Sequence, residues 1–139
     1  MFVKLLSREA KLPQKGREGD AGFDLYSPIN VTIPAKGHKQ VKLNIAIELP
    51  LDSYGQVVER SGDAIKYGLF SIGPIIDSNY RGEISAILYN SSSERIEFKM
   101  GDRIAQLLVL PLHSNQHINQ VGILSESNRG EQAHHSSGR

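Results

Sequence analysis

Val41-Lys42-Leu43-Asn44-Ile45-Ala46-Ile47-Glu48-Leu49 is the most regular stretch of this 139-residue chain. Branched aliphatic residues occupy every odd position, and Lys, Asn, Ala and Glu lie between them. Strict alternation sends successive side chains to opposite faces, so the stretch reads as a strand buried on one face. Pro50 ends it. Upstream, Phe2–Leu6, Phe23–Tyr26 and Val31–Ile33 are short strand candidates. A polar connection over residues 7–22 carries Pro13, Gly16, Gly19 and Gly22. Downstream, Tyr54-Gly55-Gln56-Val57-Val58 opens the next strand. Ile84–Tyr89 follows, and then Ile96, Phe98 and Met100 alternate with charged residues. Ile104–Leu110 is the most continuously apolar run and reads as a strand buried on both faces. His117–Leu124 is a weaker, more polar strand suited to a sheet edge. No window of eleven or more residues carries a helical stripe.

One helix start is legible. In Arg60-Ser61-Gly62-Asp63-Ala64, Ser61 is a natural N-cap and Asp63 falls in the first turn, which predicts a short helix to Lys66, before Gly68. Many short strands with turn signals between them predict an all-β barrel or sandwich with at most this one helix. Residues 1–124 form the expected domain. Residues 125–139, polar and small, form a tail expected to be mobile unless something orders it.

Composition excludes several function classes. Sixteen Lys and Arg against fifteen Asp and Glu leave a formal charge of +1, with no basic block to line a nucleic-acid groove. The chain has no cysteine, hence no disulfide framework and no thiolate zinc site, and it suits a reducing compartment. No apolar run is long enough to span a bilayer, and the first residues lack a signal-peptide core. An intracellular protein, cytoplasmic or nuclear, with no nucleic-acid or membrane partner is expected. His113 and His117 have metal-like spacing but no accompanying carboxylate cluster, which favours a surface loop.

Three stretches carry chemistry. In residues 73–83, Ile75-Ile76 runs into Asp77-Ser78-Asn79, with Tyr80 next and a strand from Ile84, which predicts a β-hairpin. A carboxylate and a ring on one turn can present a reacting group and a flat face to a small molecule. An ordinary tight turn also favours Asp and Asn. The start of the predicted helix, with free N–H groups, the Ser61 hydroxyl and Arg60, is a ready phosphate site or a plain capped turn. Arg103 and Gln106, three apart on a strand, face opposite ways unless a bulge intervenes.

Ala21-Gly22-Phe23-Asp24-Leu25, Arg60-Ser61-Gly62, Ile76-Asp77-Ser78-Asn79-Tyr80-Arg81-Gly82, Gly101-Asp102-Arg103-Ile104-Ala105-Gln106-Leu107 and Arg129-Gly130 occur in an order that resembles the trimeric deoxyuridine triphosphatases (dUTPases). The resemblance covers essentially the whole chain. It implies a distorted, jelly-roll-like β-barrel assembled as a homotrimer, with active sites between subunits and Mg²⁺ held mainly by the phosphates of dUTP. It also implies that Asp77 activates the water that attacks the α-phosphate and that Tyr80 packs on the deoxyribose. Arg60, Ser61, Gly62 and Gln106 are then expected to hold the triphosphate, with Arg103 and Arg129 as charge partners and Asp24 as a supporting carboxylate.

The sequence departs from that pattern at several positions. Pro74 replaces a usual Gly and removes an N–H donor. Asp63 stands where an apolar residue is usual and Glu59 where an uncharged one is, both adding negative charge beside the expected phosphate site. The tail keeps Arg129-Gly130 and Ser136-Ser137-Gly138, but Gln132, Ala133 and His135 replace glycines, and His134 takes the place of a Phe that stacks on uracil. Two alternatives to a dUTP diphosphatase follow. One is a dUTPase-like binding or regulatory protein with weak catalysis. The other is a dCTP deaminase of the same fold, although Ile76-Asp77-Ser78-Asn79-Tyr80 is the hydrolase form.

Overall fold

Ten strands and one short helix make up a computed structural model that describes residues 1–73, 75–113 and 117–128. All but the last residue of the 41–49 alternation lies in β4 (Gly37–Glu48), which pairs with β1 (Phe2–Leu5) on one side and β8 (Glu83–Asn90) on the other. Antiparallel β6 (Leu69–Ser71) completes this sheet in the order β1-β4-β8-β6. A second sheet has the order β2-β10-β5-β7, formed by Phe23–Tyr26, Arg103–Pro111, Ser53–Val58 and Ile75–Ile76. Strands β3 (Val31–Ile33) and β9 (Ile96–Phe98) pair as a separate ribbon. Every pairing is antiparallel, and both sheets send their apolar faces into one core that includes Leu25, Leu43, Ile45, Leu88, Ile104 and Leu107. The chain is all-β, and its fold is jelly-roll-like.

The alternation survives an irregularity that its pattern does not announce. The β4–β8 register shifts between Lys42 and Ala46, and Asn44 adopts φ 54°, a left-handed conformation that Asn tolerates better than most residues. The amide this bulge leaves unpaired is met by Glu83, whose carboxylate accepts from Asn44 N–H at 3.1 Å and pairs with Lys42 at 3.3 Å.

Three local expectations change. Ile75-Ile76 is not the first arm of a hairpin with β8, because β7 pairs with Gly55 and Gln56 of β5 in the other sheet. The arm opposite β8 is β6, so residues 75–82 cross between the sheets. The helix α1 spans Ser61–Tyr67 and is capped by Arg60 (φ −84°, ψ 135°) rather than Ser61, with no side-chain cap bond. Gly68 ends it at φ 62°, a left-handed conformation open to glycine at little cost. No strand forms over the described part of 117–124. Ile118, Val121, Ile123 and Leu124 are all exposed there, and an isolated strand has neither a ladder partner nor a face to bury. Residues 125–128 are exposed too, and the rest of the predicted tail lies outside the described residues.

The run 104–110 is a central strand, as its apolar character demands, with one refinement. The β10–β2 register slips between Arg103 and Ala105, so Ile104 and Ala105 are both fully buried. That bulge undoes the opposite-face geometry of Arg103 and Gln106 and brings both to the same cleft.

Candidate active site

Asp24, on β2, is the hub of the charged site. Its side chain is only 13% exposed and lies between two guanidinium groups, accepting from Arg60 Nε at 3.1 Å and from an Arg103 terminal nitrogen at 3.3 Å. Arg60 ends the strand-to-helix link after β5, and Arg103 opens β10, so three elements converge on one carboxylate. An arginine has five N–H donors, and these contacts leave most of both forks available to an anion. Ser61 and Gly62 stand beside them in the first turn of α1, where the backbone N–H groups have no intrahelical acceptor.

Gln106 is fixed from two sides. Its amide donates to the Glu59 carbonyl at 2.9 Å, and Gly22 packs against it so closely that a Cβ there would lie 2.5 Å from its oxygen. A side chain in place of the glycine of the Ala21-Gly22-Phe23-Asp24 stretch would therefore displace the Gln106 amide, 84 residues later in the sequence. These residues, together with Arg17 and Asp20, line a cleft of about 370 Å³.

The two unexpected acids have different fates. Glu59 does not face the cleft: its carboxylate accepts from Ser71 N–H at 2.9 Å, pinning β6. Asp63 does bear on it, with a carboxylate oxygen 3.5 Å from an Arg60 terminal nitrogen and a side chain 14% exposed. Burial raises the Asp63 carboxyl above its usual range, against the opposing pull of Arg60, Arg103 and Lys66. Behind Arg60 and Arg103 lies a further cleft of about 260 Å³, lined by Asp63, Glu97 and Asp102. The two arginines thus line both clefts, the larger one with Asp20 and Asp24 and the smaller with Asp63, Glu97 and Asp102.

Asp77 and Tyr80 lie elsewhere. They close one turn, in which Tyr80 N–H donates to the Asp77 carbonyl at 3.0 Å, and they line a cleft of about 190 Å³ with Gln40, Ile76 and Ser85. Asp77 is exposed, and among the described residues no side-chain partner engages its carboxylate. The Tyr80 hydroxyl donates to the Glu83 carbonyl at 3.0 Å, and its ring covers Gly82, where any side chain would collide with it. Arg81, which sequence reasoning left without a role, braces the turn. It donates to the Ser78 and Tyr80 carbonyls at 2.7 and 2.9 Å and reaches Glu48 of β4 at 3.6 Å. Its place inside the Tyr80-Arg81-Gly82 stretch was the only signal. The two clefts share no lining residue. Arg129 and His134 lie outside the described residues, as does Pro74.

Comparison with known proteins identifies the family. The dUTPase family model matches residues 8–138. The deoxyuridine 5'-triphosphate nucleotidohydrolase of Candida albicans is 42% identical over 99% of this chain and 87% of its own length. The protein of the same name from Paramecium bursaria Chlorella virus 1 is 45% identical over 78% and 77% of the two chains. Among solved structures, a dUTPase of Staphylococcus bacteriophage 80alpha with dUpNHpp superposes with a TM-score of 0.91. It is 26% identical and covers 99% of this chain and 98% of that one. The match to the family model over nearly the whole chain, and relatives this similar, place the chain in the dUTPase family.

Proposed function

We propose that this chain is a dUTP diphosphatase that cleaves dUTP to dUMP and pyrophosphate by attack of water on the α-phosphate. The observation that carries the reading is the Asp24–Arg60–Arg103 cluster, set at the N–H-rich start of α1 in the cleft of about 370 Å³. Such a site suits a triphosphate, for which catalysis consists of positioning and charge neutralisation.

In this reading Arg60, Arg103, the Ser61 and Gly62 N–H groups and Gln106 hold the phosphates. Asp77 takes a proton from the attacking water as the new P–O bond forms and the bond to the bridging oxygen breaks, with the electrons leaving on pyrophosphate. Tyr80 packs on the deoxyribose where a ribonucleotide carries a hydroxyl. Arg129 adds positive charge from the tail, and His134 stacks on the base.

Among the described residues no three potential ligands gather into a metal site, and Asp24 and Asp63 already face guanidinium groups. That donor set fits a Mg²⁺ carried on the triphosphate, itself gripped by Arg60 and Arg103, rather than a protein cage. The ion would offset charge building on the phosphate oxygens.

The phosphate-binding groups and Asp77 occupy clefts with no residue in common, which a homotrimer reconciles by setting one copy's cleft against another's. No described helix is long and apolar enough to cross a membrane. From the nucleotide substrate we infer that the protein works inside the cell. The test is pyrophosphate release from dUTP, with dCTP and UTP as controls. Rapid release from dUTP alone is expected. No release from dUTP would overturn the assignment in favour of a binding protein, and deamination of dCTP would point to the other enzyme of this fold.

A further inference from the structure

We propose that Asp63 sets the affinity of the phosphate cleft by holding Arg60 from behind and cancelling one unit of the positive charge that an entering polyphosphate meets. The inference rests on the cleft's reading as a triphosphate site. Arg60 is gripped twice, through Nε by Asp24 at 3.1 Å and through a terminal nitrogen by Asp63 at 3.5 Å. Asp24 is shared with Arg103, so two guanidinium groups face two carboxylates and the cluster carries no net charge. Asp24 belongs to the hub that places both arginines. Among the described residues Asp63 pairs only with Arg60, from the side of the smaller cleft that also holds Glu97 and Asp102.

A phosphate bound in the larger cleft, which Arg60 also lines, competes with that carboxylate for the same fork. The helix does not account for the contact. An acid in the first turn of α1 favours the helix dipole wherever its side chain points, and none of the seven helical residues is buried in the hydrophobic core. The position of Asp63 against Arg60 is thus a feature of the cleft rather than of the core.

The experiment measures equilibrium binding of dUpNHpp, pyrophosphate and dUMP to the full chain and to Asp63→Asn, Asp63→Ala and Asp63→Glu, with KM and kcat for dUTP. Removing a unit charge several ångströms from the phosphates should tighten binding of dUpNHpp and pyrophosphate by roughly tenfold at low salt, less at high salt. Dianionic dUMP should gain less. The gain should appear in KM rather than kcat, and Asp63→Glu, which keeps the charge, should stay near wild type. Thermal melting checks that the Asn and Ala variants are folded. Unchanged or weaker binding by both neutral variants would overturn the proposal and make Asp63 a brace for Arg60. A wild-type chain that binds none of the three ligands would overturn it together with the function on which it rests.

Discussion

Asp77 and Tyr80 are three residues apart, and the turn they close is fixed by groups other than themselves. Arg81 holds the Ser78 and Tyr80 carbonyls, and Glu83 anchors the tyrosine hydroxyl through its own carbonyl. Asp77 is therefore presented to solvent with no structural duty among the described residues. Asp77→Asn is expected to leave stability and dUpNHpp binding near wild type while lowering kcat by about two to four decades, the range for loss of a general base. Single-turnover and binding measurements together check this, and near-full turnover would remove Asp77 from the mechanism. Tyr80→Ala uncovers Gly82 and removes the flat face. UTP turnover relative to dUTP should rise by roughly ten- to a hundredfold, since excluding one hydroxyl by shape alone is worth about that much. Competition between the two nucleotides measures the ratio, and an unchanged ratio would separate Tyr80 from sugar recognition.

Strands were more legible than their pairings. The 41–49 alternation and the 104–110 apolar run report burial, which each residue's own chemistry encodes, and both became long strands at the centre of their sheets. The sheet in which a strand lies depends on residues far away. Ile75-Ile76 therefore looked like a hairpin arm although it joins β5. The convergence of Arg103 and Gln106 needed a one-residue bulge that no local pattern marks. Glu59 and Asp63 looked equivalent as acids beside Arg60, yet only Asp63 faces it, because the extended chain before the helix turns Glu59 toward Ser71. At α1, Asp63 also makes a stability prediction. Burial raises its carboxyl above the usual 3.8, so the folded chain holds that proton more tightly than the unfolded one. The resulting cost is absent below pH 3.8 and grows as pH rises through the raised folded value. Asp63→Asn removes this dependence, so its stability relative to wild type should increase from acid toward neutral pH. Urea unfolding across that range reads the difference, and a constant or opposite trend would refute it.

On the scale of the whole molecule, the phosphate cleft and the Asp77 cleft lie in one chain but do not meet. The outer face of the β6–β8 pair also leaves Phe70 and Ile72 half exposed beside Ile87 and Tyr89, an apolar surface suited to contact between copies. The resemblance of the motifs is what implies such an assembly. Composition and periodicity did not, because a subunit interface uses the same apolar residues as any half-covered sheet. If each active site draws Arg60 from one copy and Asp77 from another, two inactive variants should repair each other. Arg60→Ala and Asp77→Asn chains, each inactive alone, would be unfolded, mixed in equal amounts and refolded, and dUTP hydrolysis measured against each refolded alone. Random assembly leaves about a quarter of the sites with both residues intact, so recovery of roughly a quarter of wild-type activity is expected. A mixture no more active than its parents would mean that both residues serve the same chain's site, and the shared active site would be wrong.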